Sequence, residues 1–329
     1  MLKFDEGKKL ELTEKALALR GQIEALVDSL AGCRNVWFMG IGGTYASSLQ
    51  AEAHVQGRTE LEIRAQEAAD YNTLGNGRIG KGSVVVVSSV TGNTPEMTAA
   101  VEKAKAAGAE VIGFIDAADA PLARLVDHVF ACPGSEQLKF LMTADRLLYR
   151  AGDFADYDEF YRELDTHLAK GLVEAEKQAD AFGEAFASAH HDDALHYFVG
   201  AGTLWGTAYT TAMCYWEEMH WKRTKSIHAG EFFHGTLEVI ERDTPVTLLM
   251  GEDAARPLAE RVAAFLPRVC RNATIIDTKE YPLEGISERF RGYLSHILIR
   301  SVTQRIDAHM EEENRHPMSI RRYYRCMDY

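Results

Sequence analysis

Two stretches of the chain repeat one pattern, and few folds accommodate it. Val36 to Ser47 reads VWFMGIGGTYAS and Leu195 to Gly206 reads LHYFVGAGTLWG; in each, an apolar run enters a glycine turn and leaves it as a helix-forming stretch. The correspondence continues at nearly the same offset, Val84 to Val87 answering to Val246 to Leu249 and Glu110 to Ile115 to Ala273 to Ile276. These runs are apolar throughout instead of alternating with polar residues, the mark of strands buried on both faces of a parallel sheet. The expectation is an α/β chain of two tandem three-layer units, each a parallel sheet with helices on both faces. The first, residues 1–189, includes a leading amphipathic helix over Leu10 to Leu30 and a charged linker helix over Asp153 to Ala189. The second, residues 190–329, ends in a polar tail.

Composition narrows the partners. Lys and Arg total 36 against 49 Asp and Glu, a formal net charge of −13 that repels a polyphosphate backbone and argues against nucleic acid. A small anion held by a few amides and hydroxyls remains compatible with that charge. The five cysteines are dispersed and form no CxxC, so neither a zinc cage nor a disulfide framework is expected. The start, MLKFDEGKKLELTEKALALR, is too charged for a signal peptide, and no apolar run approaches the ~20 residues that span a bilayer. A cytoplasmic protein without membrane contact is the expectation.

Ser89-Val90-Thr91-Gly92-Asn93-Thr94-Pro95 follows a strand and opens a helix. Thr94 is a suitable N-cap, and Pro95 suits the first turn. A phosphate here meets the hydroxyls of Ser89, Thr91 and Thr94, free amides at Gly92 and Asn93, and the positive helix end. The same residue types also make an ordinary βα turn. Gly40-Ile41-Gly42-Gly43-Thr44 is an incomplete dinucleotide fingerprint, because Tyr45 stands where the third glycine belongs. It reads as a tight turn at which a sugar approaches the backbone, and no cofactor is expected.

Residues 215–240 concentrate Glu217, Glu218, His220, His228, Glu231 and His234. His228 and His234 lie six apart across a glycine, unlike a face-sharing metal pair, so no metal is expected. A carboxylate and an imidazole in one pocket move protons on a sugar; the alternative is a solvated helix end with loop histidines.

With these residues in view, the sequence resembles the tandem-domain members of the sugar isomerase (SIS) family, in particular the fructosamine 6-phosphate deglycases of the fructose-aspartate and fructoselysine type. The resemblance runs from about Asn35 onward. It is carried by Ser89 to Glu96, by Ile227-His228-Ala229-Gly230-Glu231-Phe232-Phe233-His234-Gly235, and by His316-Pro317-Met318-Ser319-Ile320-Arg321-Arg322-Tyr323. It implies that the serine and threonine loop holds a sugar phosphate, that Gly43 and Thr44 lie near the sugar, and that Glu218 and His234, sixteen residues apart, are the catalytic base and acid. It also implies a homodimer whose active sites are shared between subunits. The resulting expectation is a deglycase yielding glucose 6-phosphate and a free amino acid. An amino-sugar-phosphate isomerase and a non-catalytic sugar-phosphate sensor stay open on the same fold.

Overall fold

The computed structural model describes residues 1–30 and 32–328. Two compact units divide the chain: Gly7–Thr166, and His167 onward together with Met1–Glu6.

In the first unit, Asn35–Gly40 (β1), Glu62–Glu67 (β2), Ser83–Ser89 (β3), Glu110–Ile115 (β4) and His128–Phe130 (β5) pair in parallel in the order β2-β1-β3-β4-β5. Every residue of β1 and β3 is buried, as continuous apolar runs require. Trp37, Met39, Val85 and Val87 face one layer, packing with Met97, Ala100, Val101 and Ala104 of the helix Pro95–Ala106. Phe38 and Phe114 face the other, their rings 5.0 and 6.1 Å from that of Phe140 in the helix Glu136–Ala151. Helices therefore cover both faces.

In the second unit, His196–Gly200 (β6), Thr224–His228 (β7), Val246–Met250 (β8) and Ala273–Asp277 (β9) pair in parallel in the order β7-β6-β8-β9. This repeats the order of the first four strands, so the repeat seen in sequence is a repeat of topology. Val199, Val246 and Leu248 pack with Ala259 and Val262 of the helix Arg256–Phe265, while Phe198 on the opposite face stacks edge-on with Trp216 at 4.9 Å.

Two helical expectations are refined. The leading stretch forms two helices, Glu6–Ala18 and Arg20–Ser29, broken at Leu19, whose amide turns back to Ala16 O at 3.1 Å. The linker stretch forms Tyr157–Glu163, a π-helical turn Leu164–Leu168, Ala169–Gln178 and Asp180–His190. Among the described residues, no helix is long and apolar enough to cross a membrane.

Candidate functional site

In a sheet ordered β2-β1-β3, the connections leave β1 and β3 in opposite directions, and a crevice opens beyond their carboxyl ends. Both loops picked out in the sequence stand there. After β1, Gly42 adopts φ 57° and ψ −123°, a conformation open to glycine, and delivers Gly43 to the start of the helix Gly43–Val55. The Thr44 hydroxyl closes this turn on itself: it accepts from Ile41 N at 3.0 Å and donates to Ile41 O at 2.9 Å.

After β3, the buried Ser89 Oγ accepts from Gly92 N at 2.9 Å. The Gly92 amide is thus engaged within the loop, contrary to the expectation that it is free, while Ser89 keeps its own proton to donate. Gly92 sits at φ +61°, and a Cβ there would lie 2.4 Å from that of Ala120, so only glycine fits. Thr91 and Asn93 are exposed. Thr94 occupies the N-cap position, but its side chain makes no cap hydrogen bond. With Pro95 lacking an amide and Glu96 placing a carboxylate in the first turn, the helix start does not depend on the hydroxyl.

Sequence reasoning missed Glu136, in the first turn of Glu136–Ala151. Burial raises its carboxyl above the ordinary range, against hydrogen bonds with Ser47 and Ser88 and the charge of Lys139. Ser88 Oγ in turn donates to Phe114 O at 3.0 Å, and buried Lys139 donates to Cys132 O at 2.7 Å. Ser88 adjoins Ser89, so a carboxyl with raised proton affinity backs the loop. The turn Pro133-Gly134-Ser135 ahead of a helix was the available signal.

The equivalent crevice of the second unit differs. Gly202 repeats the conformation of Gly42, with φ 56° and ψ −132°. Here, however, the loop after β8 supplies its own anion. Asp253 Oδ2 accepts from Thr203 N at 3.0 Å and Thr203 Oγ1 at 2.7 Å, and Glu252 Oε1 accepts from Arg291 Nη2 at 2.9 Å. A carboxylate on these donors leaves no place for a phosphate.

The acid and base candidates lie in the second unit and have separate surroundings. Glu217 is exposed, and its Oε1 accepts from Thr224 Oγ1 at 2.7 Å. Half-buried Glu218 presents Oε1 to both Nε and Nη2 of Arg321, each at 2.8 Å. His220 is buried with Nε2 3.6 Å from Asp307 Oδ1, a place in the core. At the end of β7, His228 Nδ1 accepts from Gly230 N at 3.1 Å; burial lowers its proton affinity, with Glu231 opposing. His234 is exposed at the end of the short 3₁₀ turn Phe232–His234. Among the described residues, Glu218 and His234 share no hydrogen bond or ion pair.

His190, Asp193 and His196 bring donor atoms within 4.8 Å of one another, a spacing that suits a metal. Their own bonds already occupy them. Asp193 Oδ2 lies 2.8 Å from Nδ1 of both histidines, and His196 Nε2 lies 2.8 Å from Thr247 Oγ1.

The family model for the SIS domain matches residues 29–145, the segment carrying the sheet and both loops of the first unit. Over 97% of its length the chain is 27% identical to all of the fructosamine deglycase FrlB of Bacillus subtilis. It is 24% identical to the fructoselysine 6-phosphate deglycase of Escherichia coli, over 86% of this chain and 83% of that protein. A solved Bacillus subtilis structure, assigned as a phosphosugar isomerase, superposes with a TM-score of 0.88 at 26% identity, covering 95% of this chain and 99% of that one. The match over residues 29–145 identifies an SIS domain in the first unit, and the second unit repeats its strand order.

Proposed function

We propose that the chain is an enzyme, a deglycase that converts a 6-phosphorylated fructosamine to glucose 6-phosphate and a free amino acid. The observation that carries this reading is similarity to a fructosamine deglycase along nearly the whole of both chains.

In this reading the Ser89–Thr94 loop takes the phosphate, with Ser89, Thr91 and Thr94 donating hydroxyl protons beside the backbone of Gly92 and Asn93. Gly43 and Thr44 border the sugar. His234 opens the furanose, since an imidazole gives and takes protons near neutrality. Glu218 removes a proton from C1, the enolamine is reprotonated at C2, and water hydrolyses the resulting imine. Nearby donors must hold the developing charge, because carbon acids are weak. We further propose that the protein works in the cytoplasm as a symmetric dimer, with the histidine supplied by the other subunit. The exposure of His234 supports that part.

Incubation with fructose-lysine and fructose-aspartate 6-phosphates, coupled to glucose 6-phosphate dehydrogenase, tests the activity. Reduced nicotinamide should accumulate with at least one of them. Silence with every fructose-amino acid 6-phosphate, together with interconversion of an unsubstituted amino-sugar phosphate, would favour an isomerase, the reading to which the similar solved structure points.

A further inference from the structure

The segment after the long helix Glu288–Asn314 is largely exposed, Ile320 and Arg322 to Asp328 among it, yet Arg321 is half-buried. Contacts to Trp221 and Glu218 dock this segment on the stretch that carries both, the His316 ring lying 4.2 Å from that of Trp221. Arg322 lies over the Trp221 ring at 4.3 Å, and Arg321 places Nε and Nη2 on Glu218 Oε1. The third nitrogen of the guanidinium, Nη1, donates to Met318 O and Ile320 O, so the fork is braced by its own segment. Both donors fall on one oxygen of Glu218 instead of matching the two oxygens of a carboxylate, the arrangement arginine prefers.

A general base cannot keep such a partner unchanged. When Glu218 takes the C1 proton its charge disappears, and a half-buried guanidinium is left facing a neutral acid, a costly state unless another anion replaces it. A fructosamine brings that anion. The α-carboxylate of its amino-acid part is joined to C1 through the nitrogen and one carbon, so it lies close to the proton that Glu218 removes.

We infer that Arg321 is the specificity residue for the amino-acid part of the substrate: it rests on Glu218 in the free protein and passes to the substrate's α-carboxylate on binding. This rests on the deglycase reading above. It assigns the segment a part in substrate choice, namely preference for a fructosamine with a free carboxylate next to the nitrogen.

The test compares fructosyl-glycine 6-phosphate with fructosyl-glycinamide 6-phosphate, which differ in that one charge. The wild-type protein should prefer the carboxylate roughly ten- to a hundred-fold in kcat/KM, the range expected for a charge-assisted hydrogen bond. Arg321→Gln should bring the ratio close to one, and Arg321→Lys should retain part of it. If Arg321→Gln turns over neither compound, calorimetric dissociation constants for both, measured in Glu218→Gln and in Glu218→Gln/Arg321→Gln, give the ratio without catalysis. A carboxylate preference that survives loss of Arg321, or a wild-type ratio near one, overturns the inference and leaves the deglycase reading standing. A wild-type protein inactive on every fructosamine 6-phosphate overturns both.

Discussion

Asp253 caps Thr203, its Oδ2 accepting from the amide and the hydroxyl of the same residue at 3.0 and 2.7 Å. The two units share a strand order and a glycine conformation, so this pair marks where they diverge. One crevice is closed by a carboxylate of its own chain, and the other offers hydroxyls. The pair should also be a stability element. Asp253→Ala removes the acceptor from two donors of the buried Thr203 and should cost ~1–3 kcal/mol, seen as a lower urea midpoint for the second unit. A midpoint equal to that of the parent protein would show that the helix start is satisfied without it.

If the Ser89–Thr94 loop takes the phosphate as proposed, it should dominate ground-state binding. Ser89→Ala and Thr94→Ala each remove a hydroxyl contact to a charged group, so KM should rise roughly ten- to a hundred-fold with little change in kcat. The unphosphorylated fructosamine should be a poor substrate for the parent protein. Equal turnover with and without phosphate would refute the assignment of this loop.

Neighbouring glutamates should behave differently. Glu218→Gln should abolish exchange of the C1 proton with solvent deuterium, a loss of about 10² to 10⁴ in rate or more. Glu217 is exposed and bonded to Thr224 at the start of β7, so Glu217→Gln should exchange at close to the parent rate. An inactive Glu217→Gln beside an active Glu218→Gln would mean that the motif is read one residue out of register.

The His190–Asp193–His196 cluster should make folding sensitive to acid. Burial holds His196 down to about 4 against the pull of Asp193, while in the unfolded chain a histidine titrates near ~6.5. Between those values the unfolded state binds more protons, so stability falls as pH drops from about 6.5 to 4, by ~3 kcal/mol in all. Burial pushes Asp193 up, but the hydrogen bonds from His190 and His196 prevail and hold it at about 2. Its contribution is therefore present above ~3.9 and disappears toward 2. His196→Asn should flatten the slope between pH 4.5 and 6.5 by as much as ~1.4 kcal/mol per pH unit in urea titrations. An unchanged slope would assign the acid sensitivity to other groups.

What could be read in the sequence follows from burial. β1, β3, β4, β6 and β8 are legible because strands covered on both faces must be apolar throughout, while β9, an edge strand of mixed burial, is legible because its sequence ATIID keeps a short apolar run. β2 and β7, with the sequences EIRAQE and TKSIH, are edge strands of mixed burial, and their polar residues hide them. The loop after β3 is legible from local chemistry alone. Which of its groups are already engaged is not, because the Ser89–Gly92 bond depends on backbone geometry. Glu136 and the Arg321–Glu218 pair depend on residues far apart in the chain, and no local pattern records such meetings.

The sharing of sites between subunits can be tested by complementation. Glu218 is paired with Arg321, whereas His234 is exposed at the end of its 3₁₀ turn. In a symmetric dimer with two composite sites, Glu218→Gln and His234→Ala are each inactive alone. Mixed under conditions of subunit exchange, they form dimers in which one site has both native side chains and the other has neither. Random pairing makes about half of the dimers mixed, each with one working site, so roughly a quarter of wild-type activity should return. Exchange is verified independently with a tag on one variant. If tagged and untagged subunits pair while activity stays at the level of the separate variants, His234 serves its own chain or takes no part in the reaction.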